Sequence, residues 1–473
     1  MTDRRFYVIT GGTMAHVAPH FSICAPAYGT VGEQLLLGLQ REFGAREHAP
    51  DPNDVVMVRT RMALGGQEPA EDEHEVVDAA GLRHVETNED LGQLLGHLVK
   101  RPDTAGIVLA TAVCDWQFRY IVQLVTSVPE TTWPVLGPEV KTTGSWSADE
   151  LGKSMRRLRT IDGDLTAKLT PADKIIDRVR SVRKDIFLVG FKATTGLSEQ
   201  AQYVAGLGLL KSSSCNLVFS NDLHERRNMV ITPEEAKYHV TTDREQAIGG
   251  LCEMIALRSG LHFTRSTVVP GDPIPWSSPE IPDNLRKVVN HCIARGAYKP
   301  FRGSTVGHFA TRGPAPGVIY TSRRKSNFND LARNGLLRIE TRGEDEVIAH
   351  GGKPSVGGQS QRIIFDHHPD VDCIAHFHCP LRPDTTAFPR PPVRPQRPYE
   401  CGSHECGANA SDGLREMVAV RGPARTMIKA VMLDEHGPNI CFGREADPAL
   451  VIHFIETFWD LEAKTGGPVE LPG

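Results

Sequence analysis

Three histidines stand where they could share one ion. The chain reads Asp366-His367-His368-Pro369-Asp370-Val371-Asp372-Cys373-Ile374-Ala375-His376-Phe377-His378, and further on Val431-Met432-Leu433-Asp434-Glu435-His436-Gly437. The first run predicts a helix end that turns at a proline into an apolar strand. Side chains alternate along a strand, so His376 and His378 point to one face and both imidazoles can reach the same cation. His436, at the end of another apolar strand, would complete a three-histidine set that leaves one coordination position for water or substrate. A lone histidine is usually solvated or hydrogen-bonded, and this chain has 19. An H-x-H pair on a strand is less easily assigned to packing.

A second cluster, Cys401-Gly402-Ser403-His404-Glu405-Cys406, brings thiols and an imidazole close in sequence. It reads as a polar loop at a subunit edge, with a structural metal as the alternative. The ten cysteines are otherwise scattered, which fits a reduced compartment better than a disulfide framework.

A chain of 473 residues exceeds one ordinary core, so two or three domains are expected. The first half alternates apolar strand candidates (7–10, 55–58, 107–112, 186–191, 216–220) with helical periodicity (31–43, 90–99, 198–210, 241–259), the pattern of a parallel sheet covered on both faces. Around Pro270-Gly271-Asp272-Pro273-Ile274-Pro275-Trp276 the pattern breaks, and a new helix opens near Asp283. The expected organisation is an α/β domain over 1–265, a proline-rich linker over 266–282 and a second domain, which carries the histidines, over 283–473. Prolines across 388–398 remove backbone donors, so that stretch reads as an extended crossover, or as a ligand for a proline-binding module, rather than a strand. There is no internal repeat.

The net charge of -5 is small and gives no electrostatic argument for nucleic acid or an anionic membrane. No apolar run approaches bilayer length, and the start, Met1-Thr2-Asp3-Arg4-Arg5, does not read as a signal peptide. A cytoplasmic enzyme is expected.

Several segments of the second half, in order, resemble the class II aldolase/adducin family: Gly303-Ser304-Thr305-Val306-Gly307-His308-Phe309-Ala310-Thr311-Arg312, Gly317-Val318-Ile319-Tyr320-Thr321-Ser322, Lys353-Pro354-Ser355, the histidine pair, and His436-Gly437. The resemblance implies an α/β/α sandwich, a tetramer, and zinc or a related divalent ion on His376, His378 and His436. Such an ion polarises a carbonyl, which serves aldol cleavage, epimerisation or dehydration of a phosphorylated sugar or polyol alike. It also implies phosphate contacts at Gly307, Thr321 and Ser355. The adjoining basic run Ser322-Arg323-Arg324-Lys325 either meets an extra anionic group or is a solvated charge run. Where the family places a glutamate after Lys-Pro-Ser, this chain has Gly357, which transfers no proton. His308, standing where the family commonly has asparagine, Glu400 or Glu405 is the expected replacement.

The first half resembles the phosphopantothenoylcysteine synthetase family, a dimer with a nucleotide-binding α/β fold. The matching stretches are Val8-Ile9-Thr10-Gly11-Gly12-Thr13, Gly29-Thr30-Val31-Gly32, Ala110-Thr111-Ala112-Val113-Cys114-Asp115-Trp116, Asp164-Leu165-Thr166-Ala167-Lys168-Leu169, Leu188-Val189-Gly190-Phe191-Lys192-Ala193-Thr194-Thr195 and Leu217-Val218-Phe219-Ser220-Asn221-Asp222-Leu223. The resemblance implies activation of a carboxylate by CTP or ATP with Mg2+, followed by amide formation. Phosphates would meet Gly11, Gly12, Gly29 and Gly32 at a helix N-terminus. Asp115 would face magnesium, and Ala112, Phe191, Asn221 and Asp222 the nucleotide. Ala25 stands where the family has an asparagine, and Arg157 or Arg159 where it has a lysine.

The joint expectation is a bifunctional, homo-oligomeric metabolic enzyme acting on small molecules. The alternatives are a non-catalytic binding or assembly protein, or an enzyme in which only the aldolase-like half is active.

Overall fold

In the computed structural model, which describes residues 4–18, 20–47, 49–123, 145–147, 165–343, 345–355, 357–383 and 385–469, the apolar run Arg5–Gly12 forms a strand buried along nearly its whole length. Burial on both faces is what a central parallel strand requires. Val55–Arg59 and Thr104–Ala112 pair with it in parallel, one on each side, and Phe187–Thr194 pairs in parallel with Thr104–Ala112. Helix Thr30–Gly44 buries Leu35, Leu39 and Phe43, the spacing of one helical face. Phe43 meets Phe6 edge-on at 5.0 Å. Helix Asn88–Leu98 is started by Thr87 and Asp90, each accepting a hydrogen bond from the other's backbone amide, and buries Leu91, Leu94, Leu95 and Leu98. Arg157 and Arg159 lie outside the described residues.

The chain divides into two compact units, Met1–Phe191 with Ser213–Cys215, and Lys192–Ser212 with Asn216–Gly473. The second contains an antiparallel ribbon, Leu217–Asp222, Asn228–Ile231 and Lys237–Thr241, helices Glu199–Ser213 and Arg244–Arg258, and a mixed sheet. Across that sheet the order is Arg265–Val269, Glu346–His350, Leu337–Thr341, Val318–Thr321, His308–Arg312, Cys373–His376, Gly437–Phe442, Met427–Leu433 and Val393–Arg394, with Val420–Arg421 also on Met427–Leu433. Two cores sandwich it. Phe309, Cys373, Ala430 and Ile440 pack with Leu285, Val288, Phe454 and Phe458 from helices Asp283–Ala294 and Pro448–Phe458. The alternate residues Ala310, Ile374, Val431 and Cys441 pack with Ile364, Phe365, Ala410 and Leu414 from helices Gly357–His367 and His404–Glu416. Alternation along the strands therefore builds an α/β/α sandwich.

Three segments differ from expectation. Arg265–Val269, in the stretch expected as linker, pairs in parallel with Glu346–His350 as an edge strand. Val393–Arg394 pairs with Met432 and Leu433, and edge positions are where a proline-flanked strand is tolerated. Residues 404–406 open a helix instead of a loop, because the Ser403 side chain caps it by accepting from the Cys406 amide at 3.0 Å. Among the described residues no helix is long and apolar enough to cross a membrane.

Asp222 ends the strand Leu217–Asp222. Its carboxylate accepts from the amides of Gly196, Leu197, His224 and Glu225 at 2.9–3.1 Å and from the Thr194 hydroxyl at 2.8 Å. Burial pushes this carboxyl up, but the Glu225 amide, the Thr194 hydroxyl and the Leu197 and Gly196 amides outweigh it and hold it well below the usual carboxylate range. A depressed folded-state value means the stabilisation is present above the unfolded value of about 4 and is lost as pH falls through the folded one. Urea denaturation should therefore show Asp222→Asn less stable than the parent at pH 7, with the gap closing toward pH 2. A gap that does not change with pH would refute this account.

Candidate metal centre

The register of three strands brings the centre together. Cys373–His376 runs antiparallel to His308–Arg312 on one side and Gly437–Phe442 on the other, with His376 opposite both His308 and Asn439. His378 lies two residues past the strand end. Met427–Leu433 returns into Gly437–Phe442 with Leu433 paired to Gly437, so Asp434, Glu435 and His436 form a three-residue hairpin loop. Glu435 takes the left-handed conformation, φ 54°, that such loops need at one position. His376, His378 and His436 are 1%, 6% and 1% exposed, and their ligand atoms lie within 4.8 Å of one another. Ring centroids are 4.6 Å apart for His376 and His436 and 4.7 Å for His378 and His436.

Two glycines allow this approach. Gly307 has φ 107°, and a Cβ there would sit 2.6 Å from the His376 carbonyl oxygen. On Gly437 a Cβ would sit 2.0 Å from the carbonyl oxygen of Phe377.

Ring protonation follows from fixed acceptors. His376 Nδ1 donates to the Pro438 carbonyl at 2.7 Å. His436 Nδ1 donates to Gln396 Oε1 at 3.4 Å, and the Gln396 amide is oriented by its bond to the Tyr399 carbonyl. Both protons thus sit on Nδ1, which leaves two bare Nε2 atoms 3.2 Å apart. Facing lone pairs at that distance repel unless a cation joins them. Burial pushes His376 down to about 4. Burial, then the neighbouring His436 and His376, holds His378 well below the ordinary histidine value, and burial, then His376 and His308, does the same for His436. All three are neutral, which is the ligating form. His378 Nδ1 is buried with no hydrogen-bond partner among the described residues. Converging lone pairs and an orphaned ring nitrogen fit a divalent ion, and three imidazoles suit zinc.

His308 stacks on His376 at 4.4 Å with 21° between the rings. The Gln361 amide donates to its Nδ1, and the Thr321 hydroxyl donates to Gln361 Oε1 at 3.1 Å, so the proton of neutral His308 is on Nε2. Burial, then the adjacent His376, holds this ring well below its ordinary value. Ser322 is buried, its carbonyl accepting from the Ser355 amide at 2.9 Å. Arg323 is exposed and donates to the Gly351 carbonyl at 3.2 Å. The other two expected proton carriers are engaged: Asn216 donates to both oxygens of Glu400 at 3.2 and 2.9 Å, and Glu405 binds the backbone amide and ring of His262. Among the described residues only the three histidines gather as a metal-holding group. Cys406 instead meets the Gln396 amide, and His404 bonds to the Thr264 hydroxyl at 2.8 Å. Gln361 and Gln396 carry no signal in the sequence; Gln396 lies among the prolines read as a crossover.

In the first unit, Gly12 and Ala112 are cross-strand partners at the C-terminal ends of parallel strands, with Gly11 beside them. Gly29, at φ 85°, precedes helix Thr30–Gly44, and Gly32 lies in its first turn against Thr10. This edge is where open parallel sheets bind ligands. Asp115 follows and is exposed. Asn88, which carries no sequence signal, ties this edge together with Thr13 and Cys114 of the matching stretches: Thr13 Oγ1 accepts from the Cys114 amide at 2.8 Å and donates to Asn88 Oδ1 at 2.6 Å, while Asn88 Nδ2 donates to the Cys114 carbonyl at 2.7 Å. Phe191 lies half-buried in strand Phe187–Thr194. Asn221 and Asp222 belong to the second unit, where the Asp222 carboxylate is fully engaged as described above.

Gly437→Ala should destabilise the protein by roughly 1–3 kcal/mol, the usual cost of overpacking, and should lower the amount of added divalent metal that the protein retains, since the clash falls on the Phe377 carbonyl between His376 and His378. Thermal unfolding and elemental analysis of the same preparation check both effects.

Residues 291–455 match the Class II Aldolase and Adducin N-terminal domain. Over 223 residues, 47% of this chain, the sequence is 26% identical to the Coenzyme A biosynthesis bifunctional protein CoaBC of Thermococcus kodakarensis, and the match covers 42% of that protein. The chain therefore spans less than half the length of that relative. Among solved structures, the DNA/pantothenate metabolism flavoprotein from Streptococcus pneumoniae aligns with a TM-score of 0.38 and 20% identity, over 53% of this chain and 98% of that one. An L-fuculose 1-phosphate aldolase aligns with a TM-score of 0.26 and 13% identity, over 37% and 81%. The chain thus joins an N-terminal part similar to CoaBC to a segment that matches the class II aldolase and adducin domain.

Proposed function

We propose that the three-histidine centre is a divalent-metal site for aldol cleavage, epimerisation or dehydration of a phosphorylated sugar or polyol, and that the N-terminal part activates a carboxylate with CTP or ATP for amide ligation. The observation that carries the first half of this reading is the pair of bare Nε2 atoms on His376 and His436, 3.2 Å apart with both protons held on Nδ1. An ion held by His376, His378 and His436 would supply Lewis acidity to a substrate oxygen.

The chain's own groups have separate tasks in this reading. His308, with its proton on Nε2, serves as a hydrogen-bond donor beside the ligands, where a proton gained on Nδ1 would displace Gln361. Its task is to hold an oxygen of the substrate by a hydrogen bond from Nε2, keeping the proton on the ring. Thr321, Ser322 and Ser355 end the neighbouring strand and precede helix Gly357–His367, a placement that suits phosphate, with Arg323 at its exposed side. Burial of all four imidazoles keeps water away from the reacting atoms. In the N-terminal part, Gly11, Gly12, Gly29, Gly32 and Ala112 at the sheet edge suit the nucleotide phosphates, and Asp115 suits their magnesium. The reading includes a cytoplasmic homo-oligomer, dimer or tetramer, which light scattering would measure.

The experiment pairs metal analysis with turnover. Protein saturated with zinc and dialysed should retain about one ion per chain, and His376→Ala should lose it while keeping the parent's circular dichroism. A panel of phosphorylated sugars, followed by NMR for aldehyde or epimer, should show turnover that His376→Ala lacks. Pyrophosphate release from CTP or ATP with added carboxylates should persist in that variant. A parent that holds no zinc at saturation would sink the metal reading.

A further inference from the structure

Among the described residues, His378 is the one of the three ligands that makes no hydrogen bond at its Nδ1, its ring meeting those of His376 and His436. His376 and His436 each donate from Nδ1 to a fixed oxygen, whereas His378 Nδ1 has no hydrogen-bond partner among the described residues and the residue lies past its strand's end. Its main chain is held instead. The Thr465 amide donates to the His378 carbonyl at 3.0 Å. Thr465 occupies the second position of a tight turn closed by Gly467 N–H donating to the Lys464 carbonyl at 3.1 Å, with Gly466 at φ 80° in the third. A positive φ there defines a type II turn.

A buried ionic cluster seats this turn. Lys464 Nζ lies 2.9 Å from Glu235 Oε2, and Lys211 Nζ lies 2.9 Å from Glu235 Oε1. Lys464 also donates to the Tyr203 hydroxyl at 3.3 Å, which in turn donates to the Glu235 backbone carbonyl at 2.6 Å. The side chains of Glu235 and Lys464 are 0% and 2% exposed. A Cβ on Gly466 would lie 2.1 Å from the Glu235 carbonyl oxygen, so the turn rests directly on that backbone. Buried charges are tolerated only when paired in a fixed geometry, and this pairing fixes where the Thr465 amide points. Tyr203 and Lys211 belong to helix Glu199–Ser213, within the compact unit that holds the histidines.

We infer that Thr465, seated by the Lys464–Glu235–Lys211 cluster, is a positioning residue for the metal ligand His378, supplying through the main chain the orientation that the other two ligands receive at their rings. This inference rests on the metal reading above.

The test is Thr465→Pro in the full chain. Proline suits the second position of a type II turn and removes the N–H that reaches His378 while leaving the turn's own bond, which comes from Gly467; Thr465→Ala, which loses the buried hydroxyl but keeps the N–H, should match the parent. Cobalt(II) is the probe, because its visible bands report coordination geometry. The proline variant should bind cobalt about 10–100-fold more weakly, the usual loss when a ligand's support is removed. Its visible spectrum should shift, and chelator should strip the ion faster. Thr465→Ser, which keeps the N–H, should match the parent in all three. Should the proline variant fail to fold, Tyr203→Phe carries the test with an expected several-fold weakening. A folded variant with the parent's spectrum, affinity and release rate overturns the inference while leaving the metal reading intact. A parent that binds no cobalt overturns both.

Discussion

The pairing register of strand Cys373–His376 is the constraint on which the candidate centre depends. With antiparallel neighbours on both sides, His376 faces His308 and Asn439 at fixed positions. A slip of one residue would turn every side chain of the strand to the opposite face. Ile374 would leave the core under helices Gly357–His367 and His404–Glu416, and Cys373 would leave the other core. Hydrophobic alternation therefore sets the position of His376 as firmly as it sets the sandwich, and the chemistry of the site is fixed by packing that has no chemical role.

Burial then decides the state of the imidazoles. Charged rings in so closed a place would be costly; burial holds all four below the ordinary histidine value, and neighbouring rings add to it at His308, His378 and His436. The same closeness brings two lone pairs against each other at 3.2 Å. Packing alone gives no reason for such an arrangement, while a cation would relieve it. Gly307 and Gly437 permit the backbone approach, and the Pro438 carbonyl and Gln396 amide decide which nitrogen carries each proton.

Much of this was legible from residue order. Apolar runs read as strands recur in the fold, as Arg5–Gly12, Val55–Arg59, Thr104–Ala112, Phe187–Thr194 and Leu217–Asp222, because continuous burial demands continuous apolar sequence. The H-x-H alternation placed His376 and His378 together even though the strand stops at His376. The helix after Ser403 was missed where a signal existed, a capping serine ahead of an amphipathic run. Asp222, expected at the nucleotide, has a carboxylate that holds two loops through four backbone amides. Nothing in the residue order reveals which amides will turn toward a carboxylate.

The sequence by itself determined the α/β pattern, the alternation of core faces and the three candidate ligands, since each is a local matter of residue type and period. Tertiary structure alone decided that His308 stacks on His376, that Gln396 from a proline-rich crossover orients His436, and that Thr465 reaches the backbone of His378. Those contacts join residues tens to almost ninety positions apart, and their directions depend on strand register and turn geometry, which no single stretch of the chain contains.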